Sequence, residues 1–493
     1  MRLDSAEKMF PVSCKLVGGC AGRVKLAVGR LHDPELYAPD TMFRRNADAW
    51  PGDFPGRLML AWHKYSLITQ QTDADLVKAS AIYDAECNER GFFGQIYPAD
   101  LIDEQQLAGH GWMLRALAEM YTASPQEIYR RRAWKIFENL ALPLEKHLST
   151  YPLNDGLRNA NGAVDGSADR RVGVWQLSTD VGAVFIFFAG LVHATEVFQL
   201  PAADLLAEFT ALAHKVEFLK SKYQTHASLT LARALLRYST LYNDESAAMQ
   251  AQNIYTLYRN HAMSANGANY NWFCRPEWTE PCAVVDSFMV AMELYRRSGN
   301  ELYLADAHKI WFSAFSRAQR PNGGFGGDNC PRAGEDKLYM KFYEAVNCCN
   351  MRSAEGFYEA ALRGMYRQDG ILFITLPLPG VFTFADGLSV EVKTNYPNGD
   401  IWSVVFLNNS DCRGESVRCF IYGCGYLESS GSRSEFELKK HFSGDGKSFT
   451  LYRGAVMYGA DSGNALHPVS DLYLLDDDKA RNLELKVIFE NNQ

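Results

Sequence analysis

The sequence predicts a mainly helical chain with a β domain at its end: paired helices arranged as an α/α toroid, then a β-sandwich. Three observations carry that reading. From about Arg57 to Gly364 apolar residues recur at three- and four-residue spacing, the period of amphipathic helices. After Gly370 the texture changes to short runs rich in Val, Ile, Phe and Thr. No tandem repeat is strong enough for a solenoid, and helices that pair before a sandwich suit a toroid.

In chain order, residues 1–30 are an N-terminal segment in which Val24–Val28 is expected to add a strand to the sandwich. Residues 31–368 are expected to form the barrel, and 369–493 the sandwich. Helical spacing is found in Gln105–Tyr121, Pro125–Leu148, Ala202–Tyr223, Ser228–Tyr242, Ser246–Met263, Pro281–Ser298, Glu301–Arg317 and Met351–Arg363. Arg296, Arg297 and Gly299 close one helix, and Arg363 with Gly364 closes another, by basic last turns and a terminal glycine. The long connections Asn154–Arg171, Asn266–Pro276 and Pro321–Asp336 carry Gly, Asn and Asp. Loops of that length in a compact domain are usually functional or disordered. Strands are expected at Ile371–Leu376, Val381–Phe384, Leu388–Thr394, Trp402–Leu407, Ser416–Tyr422 and Leu483–Phe489, with a turn at Tyr396–Asp400.

Composition narrows the function. With 493 residues and 47% hydrophobic residues, more than one domain is expected. A net charge of −8, without any block of Lys or Arg, argues against a nucleic-acid partner or a membrane surface. The longest apolar run, near Val181–Val192, is too short to span a bilayer and holds Gly182 and Gly190. Met1–Arg30 lacks a continuous apolar stretch, so no secretory signal is visible and a cytoplasmic location is expected. Eleven irregularly spaced cysteines are no disulfide framework; reduced thiols are expected. The aromatic content of 13% suits a cleft that stacks on sugar rings as well as a large core. A homo-oligomer stays open.

Two strings concentrate the chemistry: Trp278-Thr279-Glu280-Pro281-Cys282 and Asn347-Cys348-Cys349-Asn350. Pro281 suits the first position of a helix, which sets Glu280 at the cap and Cys282 in the first turn. The cysteine pair likewise precedes a helix. Two helix N-termini meeting at one end of a toroid would gather one carboxylate and three thiols. That donor set suits a borderline-soft ion such as Zn2+. It equally suits a cysteine activated as a nucleophile, and buried cysteine packing is the plain alternative.

Glu280-Pro281-Cys282 followed by Cys348-Cys349 resembles the Glu-x-Cys … Cys-Cys pattern of the β-L-arabinofuranosidase family of glycoside hydrolases. The likeness extends to Trp50–Arg57, Gly109-His110, Trp175–Asp180 and His226-Ala227. The resemblance implies an (α/α)6 barrel with a C-terminal β-sandwich and a zinc ion held by Glu280, Cys282, Cys348 and Cys349. It implies that Cys348 is the nucleophile of a retaining hydrolase releasing a terminal furanose, β-L-arabinofuranose or a related sugar, through a thioglycosyl intermediate. His110, by the same match, would contact a substrate hydroxyl, and so would His226. The chain departs from the family at the acid/base: the family has a Glu after a Gly-rich segment, whereas Met263–Trp272 holds no carboxylate. Glu277 is the nearest replacement. Asp180 is read as a sugar-hydroxyl ligand or an N-cap, Trp272 and Trp278 as stacking or core residues, and Tyr339 or Tyr343 as pointing into the cleft. Two rival functions share the architecture. One is a polysaccharide lyase or sugar epimerase using His110, His226 and Tyr343; the other is a non-catalytic glycan binder stapled by zinc.

Overall fold

A computed structural model of the protein describes residues 8–45, 48–153, 168–264, 266–330, 340–394, 396, 401–407, 416–422, 425–429, 437–439, 451–452, 472–473 and 484–489. Six helices form an inner ring: α1 (Asp53–Thr69), α2 (Glu104–Ala123), α3 (Val184–Phe198), α4 (Thr225–Tyr242), α5 (Pro281–Ser298) and α6 (Cys349–Arg363). Each packs on the next, and α6 packs back on α1, so the ring closes. The helices Gly18–Arg30, Ala74–Glu86, Glu127–Ile136, Ala203–Ala213, Glu245–His261 and Glu301–Lys309 lie against the ring. The inner helices are buried almost all round; α3 exposes little beyond its last turn, as expected of helices in the centre of a large domain. Val24–Val28 therefore does not form a strand. It lies in the Gly18–Arg30 helix, where Cys20, Arg23, Val24 and Ala27 recur at helical spacing and face inward. The strand of the N-terminal segment is Pro11–Leu16 instead.

Why the inner ring is tight is clearest between α2 and α3. A Cβ on Gly111 would sit 2.3 Å from the Ile186 carbonyl oxygen, and one on Gly190 would sit 2.2 Å from the Gly111 carbonyl oxygen. The two glycines let the backbones touch, which explains a glycine inside an otherwise apolar helix. At the opposite end from the helix N-termini, a cavity of about 560 Å³ is lined by Arg115, Glu119, His193, Arg237, Arg296 and Glu359 among others. The abundance of arginine there suits the negative ends of six helix dipoles.

Two five-stranded sheets follow the ring. The first runs Pro11–Leu16, Gly380–Phe384, Ser389–Thr394, Ile401–Leu407, Glu484–Phe489. Pro11–Leu16 pairs antiparallel with Gly380–Phe384, and Glu484–Phe489 pairs parallel with Ile401–Leu407. The second sheet runs Glu437–Lys439, Gly425–Ser429, Ser416–Ile421, Ile371–Ile374, Met365–Gln368. Alternate residues are buried: Val390 and Val392 in one strand, Phe382 and Phe384 in its neighbour, the period of a strand with one face in a core. His308 ties the helical part to the sheets, with Nδ1 on the Tyr396 hydroxyl at 2.9 Å and Nε2 on the Thr375 carbonyl at 2.8 Å. Residues 397–400 of the expected turn, 154–167 and 331–336 of two long connections, and Tyr339 lie outside the described residues. Among the described residues no helix is long and apolar enough to cross a membrane.

Substituting Gly111 or Gly190 with Ala forces α2 and α3 apart. The expected cost is about 1–3 kcal/mol, read as a lowered thermal unfolding midpoint. An Ala at Gly22, inside the Gly18–Arg30 helix, where a Cβ meets nothing within 4 Å, is the control and leaves the midpoint in place or raises it, since Ala favours helix over Gly.

Candidate active site

All six inner helices begin at the same end of the ring, and each brings a chemically capable side chain there. Asp53 and Arg57 stand in the first turns of α1, Glu104 and His110 in those of α2, and Asp180 in the turn before α3. His226 stands at the start of α4, Glu280 and Cys282 at α5, and Cys348 and Cys349 at α6. The local sequence explains the placement. Pro281 occupies the first turn of α5, with Glu280 at its cap in extended conformation. The Glu280 amide donates to Asn269 Oδ1 at 2.9 Å, and Asn269 Nδ2 donates to Thr225 Oγ1 at 3.0 Å. Asn269, buried in the long connection Asn266–Pro276, thus ties the start of α4 to the start of α5. At α6, Asn350 Oδ1 accepts from the Phe325 amide at 2.6 Å and its Nδ2 donates to the Tyr37 hydroxyl at 2.8 Å. This anchors the turn that presents the cysteine pair.

Glu280, Cys282, Cys348 and Cys349 converge: one ligand atom from each lies within 4.8 Å of all the others. Cys282 Sγ is 3.5 Å from Cys349 Sγ, which is 3.4 Å from Cys348 Sγ, and all three are free thiols. Thiolates ~2.3 Å from a tetrahedral Zn2+ stand ~3.8 Å apart, so the set needs only a small adjustment to hold such an ion. Glu280 Oε2 is buried with no hydrogen-bond partner, which leaves a lone pair for a cation. The donor set therefore fits a metal ion. Burial, reinforced by Cys282 and Asp180, pushes the Glu280 carboxyl well above the usual range. Burial also pushes the Cys282 thiol up to about 11. Cys348 moves the other way. Hydrogen bonds from Cys282 and Cys349, with the Arg57 guanidinium nearby, hold it well below the usual thiol range. Of the three sulfurs, Cys348 is the one whose surroundings favour the thiolate.

Arg57 and His226 complete the surroundings. Arg57 donates to Asp53 Oδ1 at 2.7 Å, reaches Cys282 Sγ at 3.7 Å and lies over the Trp112 ring at 4.1 Å. The same ring stacks on His226, with centroids 5.9 Å apart. His226 Nδ1 bonds Asp286 Oδ2 at 2.6 Å, so Nε2 is left without a partner in a buried position. Asp286 is one helical turn beyond Cys282 and so shares its face. Gln224 Oε1, Asn271 Oδ1 and Trp272 Nε1 are further buried polar atoms without partners. Such atoms are scarce in folded proteins, and several between two helix starts mark a place for a polar ligand.

Solved structures share this architecture. The chain has the fold of β-arabinofuranosidases. A structure described as a GH127 β-arabinofuranosidase aligns over 84% of this chain and 71% of its own, at 11% identity and a TM-score of 0.59. One described as a glycoside hydrolase aligns over 86% and 73%, at 11% identity and 0.61. A GH127 β-L-arabinofuranosidase from Geobacillus stearothermophilus T6 aligns over 85% and 80%, at 12% identity and 0.56. At these identities the likeness is one of fold. No family model matches the sequence, and neither does any curated protein.

Other residues singled out in the sequence fare differently. His110 is fully buried, with Nδ1 on the Gln106 carbonyl at 2.7 Å and Nε2 accepting from the Phe93 amide at 2.9 Å. Both ring nitrogens are engaged, so the ring serves the packing of the Phe92–Phe93 turn and has none left for a sugar hydroxyl. Glu277 is 53% exposed at its side chain and bonds Arg275 at 2.8 Å. Tyr343 is 43% exposed, at the surface. Trp272 and Trp278 are both buried, packed edge to face at 5.4 Å. Arg57, Asp53, Trp112, Gln224 and Asp286 were not assigned roles from sequence. The i, i+4 spacing of Cys282 and Asp286 is the signal that could have found the last.

Asp286 also receives Arg352 at 2.5 Å and Arg233 at 2.7 Å. Burial works against its charge, yet Arg352, His226 and Arg233 hold it far below the usual carboxylate range. Asp286→Asn leaves buried cations uncompensated, so a loss of about 3–5 kcal/mol is expected. Denaturant titration of wild type and variant checks this.

Proposed function

We propose that the protein is a retaining glycoside hydrolase that releases a terminal furanose, β-L-arabinofuranose or a related sugar, with Cys348 as nucleophile. The observation that carries the reading is the convergence of Glu280, Cys282, Cys348 and Cys349 within 4.8 Å at the N-terminal end of the helical ring. The fold likeness to β-arabinofuranosidases supports it. We further infer that residues 31–368 form the barrel domain and 369–493 a sandwich of the two sheets, to which residues 1–30 lend an edge strand. The pairing of Pro11–Leu16 with Gly380–Phe384 supports that division.

The four residues would hold a zinc ion. When bound, zinc keeps coordinating thiols deprotonated and withdraws charge from the donor set. The protein's own groups supply the rest. Hydrogen bonds from Cys282 and Cys349 favour the Cys348 thiolate, and it stands at the start of α6, where the helix dipole favours negative charge. Its sulfur attacks the anomeric carbon as the glycosidic bond breaks, and water later displaces it, so two inversions give net retention. Arg57, planar on Trp112 and beside Cys282, fixes the charge balance of the sulfurs. His226, oriented by Asp286, presents Nε2 to a sugar hydroxyl, and Gln224 Oε1 and Asn271 Oδ1 are further acceptors. Of the three residues the lyase or epimerase reading uses, His226 keeps a free ring nitrogen, but His110 is fully engaged and Tyr343 lies at the surface, which leaves that reading weaker.

Purified wild type is expected to carry close to one zinc per chain by elemental mass spectrometry, lost from Cys282→Ser and Cys349→Ser. Cys348→Ala is expected to abolish turnover of aryl β-L-arabinofuranosides while preserving the circular-dichroism spectrum. Brief quenching of wild type with an activated furanoside should add one pentose to the peptide holding Cys348. Retained turnover in Cys348→Ala would remove the nucleophile assignment. Stoichiometric zinc without any turnover would favour the glycan-binding alternative.

A further inference from the structure

A thiolate nucleophile needs a partner that protonates the leaving oxygen and then deprotonates water. We propose that Asp180, at the opening of α3 on the wall facing the cysteine pair, is that proton donor and acceptor. The inference rests on the hydrolase reading and names a residue that reading lacks.

Position is the first argument. In a closed ring of six helices, α3 and α6 stand three steps apart in either direction, so they face each other across the axis. A sugar between them meets Cys348 on one side and Asp180 on the other, as a double displacement requires. The Asp180 turn is held in place from below. Glu104 Oε2 accepts from the Ser178 amide at 2.8 Å and Oε1 from the Val184 amide at 3.2 Å, while Ser178 Oγ accepts from the Asp180 amide at 3.1 Å.

Elimination is the second. Among the described carboxylates at this end, Asp53 is tied to Arg57 and Asp286 to His226, Arg233 and Arg352. Glu104 is spent on backbone amides and the Tyr151 hydroxyl. Glu280 belongs to the ligand set, and Glu277 is exposed and paired with Arg275. Asp103 is taken up by the Gln105 and Gln106 amides, which it caps, and by the Tyr97 hydroxyl. Asp180 is partly accessible, with no cation bonded to it.

Its surroundings suit the task. Asp53 and Arg57 face it from α1, Glu104 from α2, and Gln224 from the cap of α4. Glu280, from the start of α5, feels its charge. Burial, then the Glu104 carboxylate, outweighs Arg57 and the Gln224 hydrogen bond, and pushes the Asp180 carboxyl up to about 7. A group that titrates near the working pH is most effective in both directions. In the first step the Asp180 O–H proton passes to the leaving oxygen as the carbon–oxygen bond breaks and the carbon–sulfur bond forms. In the second, Asp180 takes a proton from water as the water oxygen bonds the anomeric carbon and the Cys348 thiolate departs.

The test uses the full-length protein with its metal, as wild type, Asp180→Asn and Asp180→Ala. Aryl furanosides of graded leaving-group acidity are compared. In the variants kcat/KM is expected to fall about 10²–10⁴-fold for poor leaving groups, and far less for 4-nitrophenolate. The alkaline limb of the wild-type pH profile should vanish. Azide should restore turnover of the 4-nitrophenyl furanoside in Asp180→Ala and give the furanosyl azide, and the Cys348 pentose adduct should accumulate without it. Because the folded Asp180 keeps its proton to a higher pH than the unfolded one, it costs stability as pH rises from about 4 to 7. Asp180→Asn should therefore unfold at the same or a higher temperature than wild type at pH 8. Equal losses for every leaving group, with an unchanged pH profile, overturn the assignment while wild-type turnover and the Cys348 adduct uphold the hydrolase reading. Wild type that turns over no furanoside overturns both.

Discussion

The buried carboxylate of Asp286 is the point on which the functional end of the molecule depends. It accepts from His226 and Thr230 on α4, from Arg233 one turn further along the same helix, and from Arg352 on α6. Arg352 and Arg233 also meet Glu355, which pairs with Arg115 of α2. Two anions, Asp286 on α5 and Glu355 on α6, thus register four of the six inner helices against one another. Replacing such a network by apolar side chains is often neutral for stability. What it provides here is orientation: the bond to Nδ1 fixes the His226 ring and leaves Nε2 without a protein partner. Arg352, paired with Asp286, then joins Arg57, paired with Asp53, and Arg115, paired with Glu355, around Trp112, all within 4.7 Å of the ring centre.

How far the sequence could be read follows from which forces are local. Pro281–Ser298 and Ser416–Ile421 lie within a residue of their expected bounds because caps, turn residues and period are short-range signals. Val24–Val28 reads as a strand from a short apolar run with Val at both ends, but it lies inside a helix whose buried stripe comes from its contact with α6. The Glu280, Cys282, Cys348, Cys349 group was legible because both strings sit at helix starts, and helix starts share one end of a toroid. His110 and Glu277 stay open in the sequence, each between a role in the site and a structural one, for the opposite reason. Whether a histidine's nitrogens are taken by Gln106 and Phe93, or a carboxylate by Arg275, depends on loops that local pattern does not describe.

The thiol set and the carboxylates also divide electrostatic work between the two halves of the ring. At the start of α6, hydrogen bonds from Cys282 and Cys349, with Arg57, favour negative sulfur at Cys348. Before α3, burial and the carboxylates of Glu104 and Asp53, on α2 and α1, disfavour an anion at Asp180. The same few cations, distributed unevenly, give neighbouring acids opposite behaviour, the arrangement acid–base enzymes use to run both directions of proton transfer in one cleft.

The seam where α6 meets α1 has a consequence for how the chain becomes active. Asp53–Thr69 and Cys349–Arg363 are joined by nearly the whole barrel sequence, yet they pack side by side. Such long-range pairings carry loop-closure entropy that must be overcome before they stabilise anything, and they slow folding. Residues 347–350 are made after all the other inner helices, and they complete a ligand set begun at Glu280. During synthesis from the N-terminus, the earlier helices emerge as an open arc with an incomplete set of sulfurs. The set of four donors is complete only once the sixth helix seats against the first.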